Sequence, residues 1–407
     1  MEGFFLNFAF NFLKFSLLKL GFSVGIFGVI GFFLAPSKAR AYPSFIGYGY
    51  TSCIVCHFNA FGNGPLTDYG RALGATAVAA VPFYWPRASD QDLGETSGFL
   101  GPLKFPDSYR VSADYRGLLY ASRIAKEGGQ TRYINMQVDA SLVYLMGEGR
   151  SYFVGTLGYI PPPVSGSTAN IPKLISREHY WSFPVGQSSR IYAGFQDVVF
   201  GIRIPDHTAY SRKFTRLAQN DQVHGINLHL GSQTSEIGIH AFAGNLYQRP
   251  SGVRPYGGSV MYEFDIAEKV RLGFSGLYAK SQARSRILAA AHLRAGFGKG
   301  SSLMCETGLV SDNTRIATSN KLGNYIFTQT MTRLFRGVHF LFTAEYQTKE
   351  TFGGVPRDLR VGPGFQYFPA QRLELRADLQ GTRVLGRTSA VEESDDLNFL
   401  GQLHLWF

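Results

Sequence analysis

Apolar and polar residues alternate with a period of two along most of the chain after residue 108. In the first such segment Tyr109 and Val111 alternate with Arg110 and Ser112. Because successive side chains of a β-strand point to opposite faces, this alternation predicts strands with one apolar and one polar face. Sixteen strands are predicted, near 109–119, 131–147, 150–160, 176–185, 189–204, 222–231, 234–244, 256–265, 268–280, 285–297, 300–311, 323–335, 338–349, 360–368, 371–383 and 397–407.

The connections between these strands fall into two length classes. Those after even-numbered strands are short, such as 147–149 and 186–188, whereas many after odd-numbered strands are long, such as 161–175 and 205–221. This asymmetry is typical of bacterial outer-membrane barrels, whose short turns face the periplasm. We therefore predict an all-β fold for residues 107–407, a transmembrane β-barrel of about 16 antiparallel strands. A β-sandwich or propeller also has many short strands, but no repeat of blade length is visible.

The two faces of the predicted strands differ in polarity. In the last strand Leu403, Leu405 and Phe407 share one face, whereas Gln402 and His404 share the other. A closed barrel in a bilayer requires a lipid-facing apolar row opposite a polar interior row, with every backbone polar group paired. The same parity places five histidines in the lumen, namely His229, His240, His292, His339 and His404.

Residues 1–41 are predicted to be a signal peptide. Lys14 and Lys19 precede the apolar run 20–34, Pro36 follows it, and the sequence Ala-Arg-Ala at 39–41 offers small residues at the cleavage positions. An uncleaved membrane anchor is the alternative, because the apolar region is long. The expected mature chain begins at Tyr42.

Composition narrows the class of partner. The chain has 34 Phe, 22 Tyr and 47 Gly with a mean hydropathy of −0.05. No second apolar run of about 18 residues follows the predicted signal peptide. The net charge of +11 comes without a compact Lys/Arg block, so we predict no nucleic-acid partner and interpret the scattered arginines as contacts to the lumen and to headgroups, including lipopolysaccharide.

The sequence Cys53-Ile-Val-Cys56-His57 indicates a c-type haem attachment site. Two thiols three positions apart can each form a thioether to a haem vinyl group, and the adjacent histidine can then coordinate the iron. A structural zinc site needs four ligands, and the chain offers only Cys305 besides these two. A redox disulfide does not require the histidine. We therefore predict one covalent haem c, with Cys53 and Cys56 as attachment points and His57 as axial ligand.

The glycine-rich segment 42–80 is predicted to be the haem-binding module, with a short helix between residues 66 and 80, and the proline-containing segment 81–106 to be a linker. So small a module cannot bury a haem alone, so we expect it to plug the barrel. No methionine lies between Tyr42 and Arg132. The sixth ligand is therefore left open. The candidates are the luminal histidines, namely His404, His292, His240 and His229 with His339 as a further one, a methionine such as Met146, and no protein ligand.

An exported chain with one N-terminal CxxCH motif, followed by a barrel of about 16 strands, resembles the fused outer-membrane monohaem cytochrome–porins, which are best known from iron-oxidising bacteria. The matching residues are Ala41, Pro43, Phe45, Cys53, Cys56, His57, Phe61, Leu66, Thr67, Gly70 and Arg71. The chain departs from that pattern at 46–50 and by the insertion Gly-Asn-Gly-Pro at 62–65. The resemblance implies electron transfer from an extracellular donor, Fe(II) in the best-known members, to a periplasmic cytochrome.

Two predicted outer loops carry charge. Glu392, Glu393, Asp395 and Asp396 offer oxygen ligands to a cation such as Fe²⁺, or form a solvated loop. The loop 205–221 is basic and suits an anion or lipopolysaccharide phosphates. The predicted function is outer-membrane electron transfer through haem c. The alternative is a transport porin whose haem-bearing plug serves as a redox sensor or structural staple.

Overall fold

The computed structural model describes residues 43–50, 52–101, 103, 105–124, 128–147, 150–159, 174–204, 206, 208–249, 251–314, 322–351, 357–386 and 394–407. The predicted signal peptide, the loop 160–173 and Glu392 and Glu393 lie outside these residues. Within the described part, no helix is long and apolar enough to cross a membrane.

Sixteen strands form one closed antiparallel barrel in which each strand pairs with its neighbours in sequence. The last strand closes the barrel on the first, with Gly117 opposite Leu403 and Ala113 exchanging backbone hydrogen bonds with Phe407. The strands are β1 109–121, β2 131–146, β3 151–159, β4 174–184, β5 190–196, β6 223–231, β7 235–242, β8 256–267, β9 270–280, β10 284–298, β11 301–314, β12 322–335, β13 338–348, β14 357–370, β15 373–385 and β16 394–406. The predicted strand number and antiparallel barrel are confirmed.

The alternation of side chains agrees with the predicted faces. On β8, Val260 and Tyr262 are exposed on the outside while Met261 and Glu263 are buried inside. Because closure pairs the edge strands, the exposed outer wall presents apolar side chains without open backbone groups. All five histidines of inward parity are buried.

Short turns join the strands at one end, which we call the short-turn rim; examples are 268–269, 299–300 and 336–337. Most connections at the opposite end are longer, as predicted. Three short helices lie at the short-turn rim, namely α1 (Pro43–Ile46), α2 (Asp68–Leu73) and α3 (Asp90–Glu95). Gly300 N donates to Gly47 O at 3.0 Å and Ala80 N donates to Phe368 O at 2.9 Å, so both ends of the segment 43–80 are fixed to this rim.

The predicted fifth strand, 189–204, is wrong at its end, because β5 stops at Gln196. In the apolar run Val198, Val199, Phe200 and Ile202, the side chains at both odd and even positions are buried, unlike those of a strand in the barrel wall. Residues 197–204, 206 and 208–222 instead fold inward, and we call them the luminal loop; it contains α4 (Tyr210–Thr215). A loop packed inside a barrel buries apolar residues just as a strand does, which explains the error.

The basic loop was expected to suit an anion or lipopolysaccharide phosphates, but Arg212 is fully buried 3.9 Å from Glu306 of β11 and does not offer its charge to such a ligand. Tyr210 N donates to Glu345 Oε1 of β13 at 2.8 Å. Lys213 and Arg216 remain exposed. The loop therefore crosses the lumen and is anchored to inward-facing carboxylates of the far wall.

Candidate functional site

The motif at 53–57 forms a tight turn. Residues Cys53–Val55 make one turn of 3-10 helix, and the amides of Cys56 and His57 both donate to Cys53 O, at 3.1 and 3.0 Å. The two cysteines are free thiols, and burial raises the pKa of Cys56 to about 12. Both side chains are therefore neutral thiols available for covalent attachment.

The inserted sequence at 62–65 turns the chain back onto the motif. Gly62, Asn63 and Gly64 all have positive φ, at 80°, 70° and 68°. Only glycine and, less readily, asparagine adopt this conformation at low cost, which accounts for the residue types. As a result His57 forms a β-bridge with Leu66.

The helix α2 packs directly on the motif. Its N-cap, Thr67, accepts from Gly70 N at 3.1 Å and donates through Oγ1 to Val55 O at 3.0 Å. A Cβ on Gly70 would lie 2.5 Å from Cys56 O, so only glycine fits there. Arg71 extends from the same helix to donate to Val111 O of β1 at 2.7 Å. The Leu-Thr-x-x-Gly-Arg sequence thus joins the motif to the barrel wall.

A cavity of about 290 Å³ lies beside His57. One part of its lining is apolar and includes Phe45, Leu66, Val78, Leu118, Leu341 and Phe368, and another part carries cations that include Arg71, Arg116 and Arg376. The lining also carries carboxylates, among them Asp114 and Asp378, so the apolar part is the part that suits a flat apolar group. Cys53 lines a smaller cavity of about 30 Å³, and Asn63 and Arg203 line both cavities.

The His57 ring is held as a neutral imidazole. Nδ1 lies 3.4 Å from Gly64 O, and burial lowers the pKa of His57 to about 4. A ring nitrogen oriented by a backbone carbonyl, on an unprotonated imidazole, is the arrangement found in metal-ligating histidines. The donor set therefore fits a haem c. Attachment through both sulphurs requires Cys53 to turn from the smaller cavity toward the larger, and requires the buried Cys56, which lines neither cavity, to be exposed to the larger one as well.

A buried ionic network lies behind Cys53. Arg294 Nη1 lies 3.5 Å from Cys53 Sγ, and Arg294 also pairs with Glu263. Glu263 Oε1 is 2.6 Å from His292 Nε2, and Arg271 links Glu263 to Glu236 at 3.4 and 3.5 Å. Sequence parity indicated that these side chains point inward but gave no sign that they cluster against the motif.

Four of the histidines considered as sixth ligand occupy different surroundings. His292 is engaged by Glu263 within this network, and His229 lies 3.7 Å from Glu236. His240 is buried beside Phe242, with ring centroids 5.5 Å apart. His404 lines the larger cavity together with His57.

The luminal loop meets the N-terminal segment next to the motif. Asn63 Nδ2 donates to Asp197 Oδ2 at 2.8 Å, and the same carboxylate pairs with Arg203 at 3.0 Å. Phe61 packs in one cluster with Val199. This contact between the N-terminal segment and the luminal loop was not predicted, because Asn63 and Asp197 are more than 130 positions apart in the sequence.

The described part of the acidic outer loop is already paired. Asp395 lies 3.4 Å from Arg383, and Asp396 lies 3.4 Å from Arg123. Across the described residues, no group of three or more His, Cys, Asp and Glu side chains is arranged to hold a metal ion. The geometry therefore gives no support to a cation site at Asp395 and Asp396.

Comparison with known proteins identifies the fold. No protein-family model matches the chain, and no curated protein sequence matches it. Solved structures do match: a loop L8 deletion mutant of OmpT, an outer membrane protein of Vibrio cholerae, has a TM-score of 0.59 at 9% identity, covering 74% of this chain and 100% of that chain. The outer membrane channel DcaP of Acinetobacter baumannii has a TM-score of 0.55 at 12% identity, covering 75% and 99%. An anion-selective porin from Comamonas acidovorans has a TM-score of 0.54 at 10% identity, covering 74% and 99%.

The barrel therefore has the fold of outer-membrane porins. The identities are too low to carry more than the fold.

Proposed function

We propose that the protein lies in the bacterial outer membrane and transfers electrons from an extracellular donor, through one covalent haem c, to a periplasmic cytochrome. The observation that carries this proposal is the position of His57, which opens onto a cavity enclosed by the barrel and lies four residues from Cys53 in a CxxCH motif. Cys53 and Cys56 would hold the haem through thioethers, and His57 would coordinate its iron. When bound, haem supplies reversible one-electron transfer.

The chain's own residues prepare this site in two ways. Arg71 and Arg116 line the cavity and would supply cations for the propionate carboxylates, whereas Arg376, which also lines it, is paired with Asp378. The apolar lining, with Phe45 and Phe368 among its members, excludes water from the rest of the group. Because an electron has to cross roughly 25–30 Å of hydrocarbon, a carrier inside the barrel shortens each step.

The donor is proposed from the resemblance of the motif region to cytochrome–porins, which favours Fe(II). Electrons would leave at the short-turn rim, where the segment 43–80 is fixed to the barrel wall and the periplasmic acceptor can approach. In a barrel of this class the short turns face the periplasm. Outer-membrane lipid and lipopolysaccharide are the surroundings expected for the apolar outer wall.

The test begins with haem attachment. The full chain is exported in cells with a cytochrome c maturation system, and haem that survives denaturing electrophoresis is measured. We expect one covalent haem per chain in the wild type and in Cys305→Ser, a matched control on β11, and none in the double variant Cys53→Ser with Cys56→Ser. Wild type without covalent haem would contradict the proposal.

The second step measures transfer. Liposomes containing the protein and an internal oxidant receive an external reductant, with Fe(II) tested at several pH values. We expect oxidation that depends on Cys53 and Cys56. Haem-loaded protein that passes no electrons would leave the cofactor assignment intact and reject the conduit.

The second candidate is a transport porin in which the N-terminal segment is a plug, and the similarity to porins favours it. Single-channel conductance separates the two. A conduit filled by segment 43–80 and the luminal loop should conduct few ions, whereas a transport porin should conduct freely and should do so in the double cysteine variant as well.

A further inference from the structure

The cavity beside His57 contains a second histidine. Among the described residues that line it, His57 and His404 are the two imidazoles, and they come from opposite ends of the sequence. His404 lies on β16 and points inward, 9% exposed. His229, His240 and His292 do not line this cavity.

We propose that His404 is the second axial ligand of the haem, with Glu374 as its positioning residue. This inference rests on the proposed haem c and adds the residue that completes the iron coordination.

The ring of His404 is fixed by a carboxylate directly across the sheet. Glu374 of β15 stands opposite His404 in the strand register. Its Oε2 lies 3.0 Å from His404 Nδ1, and its Oε1 accepts from Gln366 Nε2 at 2.6 Å. Because a carboxylate only accepts, the contact with Glu374 places a proton on Nδ1, and a haem iron bound at Nε2 would replace the contact with Asp114. Histidines that bind metals are commonly oriented by such a carboxylate.

A second carboxylate lies near the other ring nitrogen. His404 Nε2 lies 3.4 Å from Asp114 Oδ1, and Asp114 itself lines the cavity. Asp114 is also near enough to His57 for its charge to act on that ring. One carboxylate therefore lies close to both imidazoles.

Aromatic packing connects His404 with the CxxCH motif. The Trp406 ring lies 4.9 Å from the His404 ring and 6.1 Å from the Phe368 ring. Trp406 and Phe368 belong to the cluster that also buries Cys56. This packing fixes the face of β16 that carries His404 next to the motif.

Two methionines, Met136 and Met331, also line the cavity. A thioether would be the rival ligand and would raise the reduction potential relative to two histidines. Neither methionine has an orienting partner comparable to Glu374 in the described contacts, so the geometry favours the imidazole.

The test uses the haem-loaded full chain and reads spin state and reduction potential. We expect wild type to be six-coordinate and low-spin with a two-histidine electron paramagnetic resonance signature. His404→Ala should become high-spin, bind carbon monoxide when reduced, have a higher potential, and return to low spin with added imidazole. The control His339→Ala removes another buried luminal histidine, one outside the cavity lining, and should leave the spectrum unchanged.

Glu374→Gln provides a second variant that retains both histidines. We expect it to remain low-spin with a raised potential, because the ligand loses its anionic partner. A covalent haem whose spectrum is the same in wild type and His404→Ala, or a methionine signature in wild type, would overturn the assignment while leaving the proposed function standing. Absence of covalent haem in wild type would overturn both.

Discussion

Gly70 is the position where a single added methyl group tests the packing of α2 on the motif. A Cβ at Gly70 would meet Cys56 O at 2.5 Å and both Cys56 Cα and Cβ at 3.0 Å. Ordinary carbon contacts lie at about 3.5–4.0 Å, so the helix would have to move roughly 1 Å away. Thr67 N donates to Cys56 O at 2.9 Å, and a shift of that size breaks this bond.

The expected cost follows from these contacts. Overpacking costs about 1–3 kcal/mol, and each lost hydrogen bond costs about 1 kcal/mol. Alanine favours the helix over glycine by about 1 kcal/mol, which offsets part of this. The local unfolding free energy of 67–73 should therefore fall by about 1–3 kcal/mol in Gly70→Ala. Gly74 caps the same helix with φ −58°, and its added Cβ meets only Phe45 Cζ at 3.9 Å. Gly74→Ala should be neutral or stabilising by up to about 1 kcal/mol.

Hydrogen exchange on the full chain in detergent, with equal haem content, measures this difference. The amides of Thr67 and Arg71, which are hydrogen-bonded, should exchange roughly 5- to 150-fold faster in Gly70→Ala, since each 1.4 kcal/mol is a factor of ten. The amides of β10 and β11 serve as an internal reference. Equal exchange in Gly70→Ala and Gly74→Ala would refute the close packing of α2 on the motif.

Two further substitutions test the barrel and the luminal loop. Val260→Arg places a charge on the outer face midway along β8 and should destabilise the barrel by about 2–4 kcal/mol, whereas Tyr256→Arg, on the same face at the strand end, should cost about 0–1 kcal/mol. Urea titration of protein folded into lipid vesicles compares the two, and equal costs would place Val260 outside the hydrocarbon. Glu345→Gln leaves buried Arg360 without its counter-ion and weakens the hold on Tyr210 N, so we expect about 3–5 kcal/mol of destabilisation and a higher single-channel conductance. Unchanged conductance would show that this anchor does not restrict the pore.

The positions of the strands could be predicted from the sequence, because lipid and lumen require opposite polarities at alternate residues. Each of the 16 predicted segments overlaps an observed strand, and the predicted parity of Gln402 and His404 agrees with their position along the cavity. The helix expected between residues 66 and 80 begins at Asp68, after its N-cap Thr67. These features depend on local periodicity and capping, which the sequence displays directly.

The luminal loop could not be predicted in the same way. Its run Val198, Val199 and Phe200 has the apolar character of a strand, and the partner of Arg212 is Glu306 on β11, 94 positions later. Likewise, parity gave the inward direction of His404 but not its register opposite Glu374. Long-range register and the folding of a loop into the lumen depend on barrel closure, which no local pattern encodes.

The two proposed functions make different requirements of the contact between the N-terminal segment and the luminal loop at Asp197. Asp197 accepts from Asn63 of the N-terminal segment and from Gln222 at 3.1 Å, and it pairs with Arg203 of its own loop. A transport porin would have to separate these groups to open a pathway, leaving a carboxylate and a guanidinium to find new partners. An electron conduit needs them to stay together, because electrons cross a packed lumen that excludes solutes. The two proposals therefore differ at Asp197, and single-channel conductance decides between them, because the comparison with solved structures shows the porin fold alone.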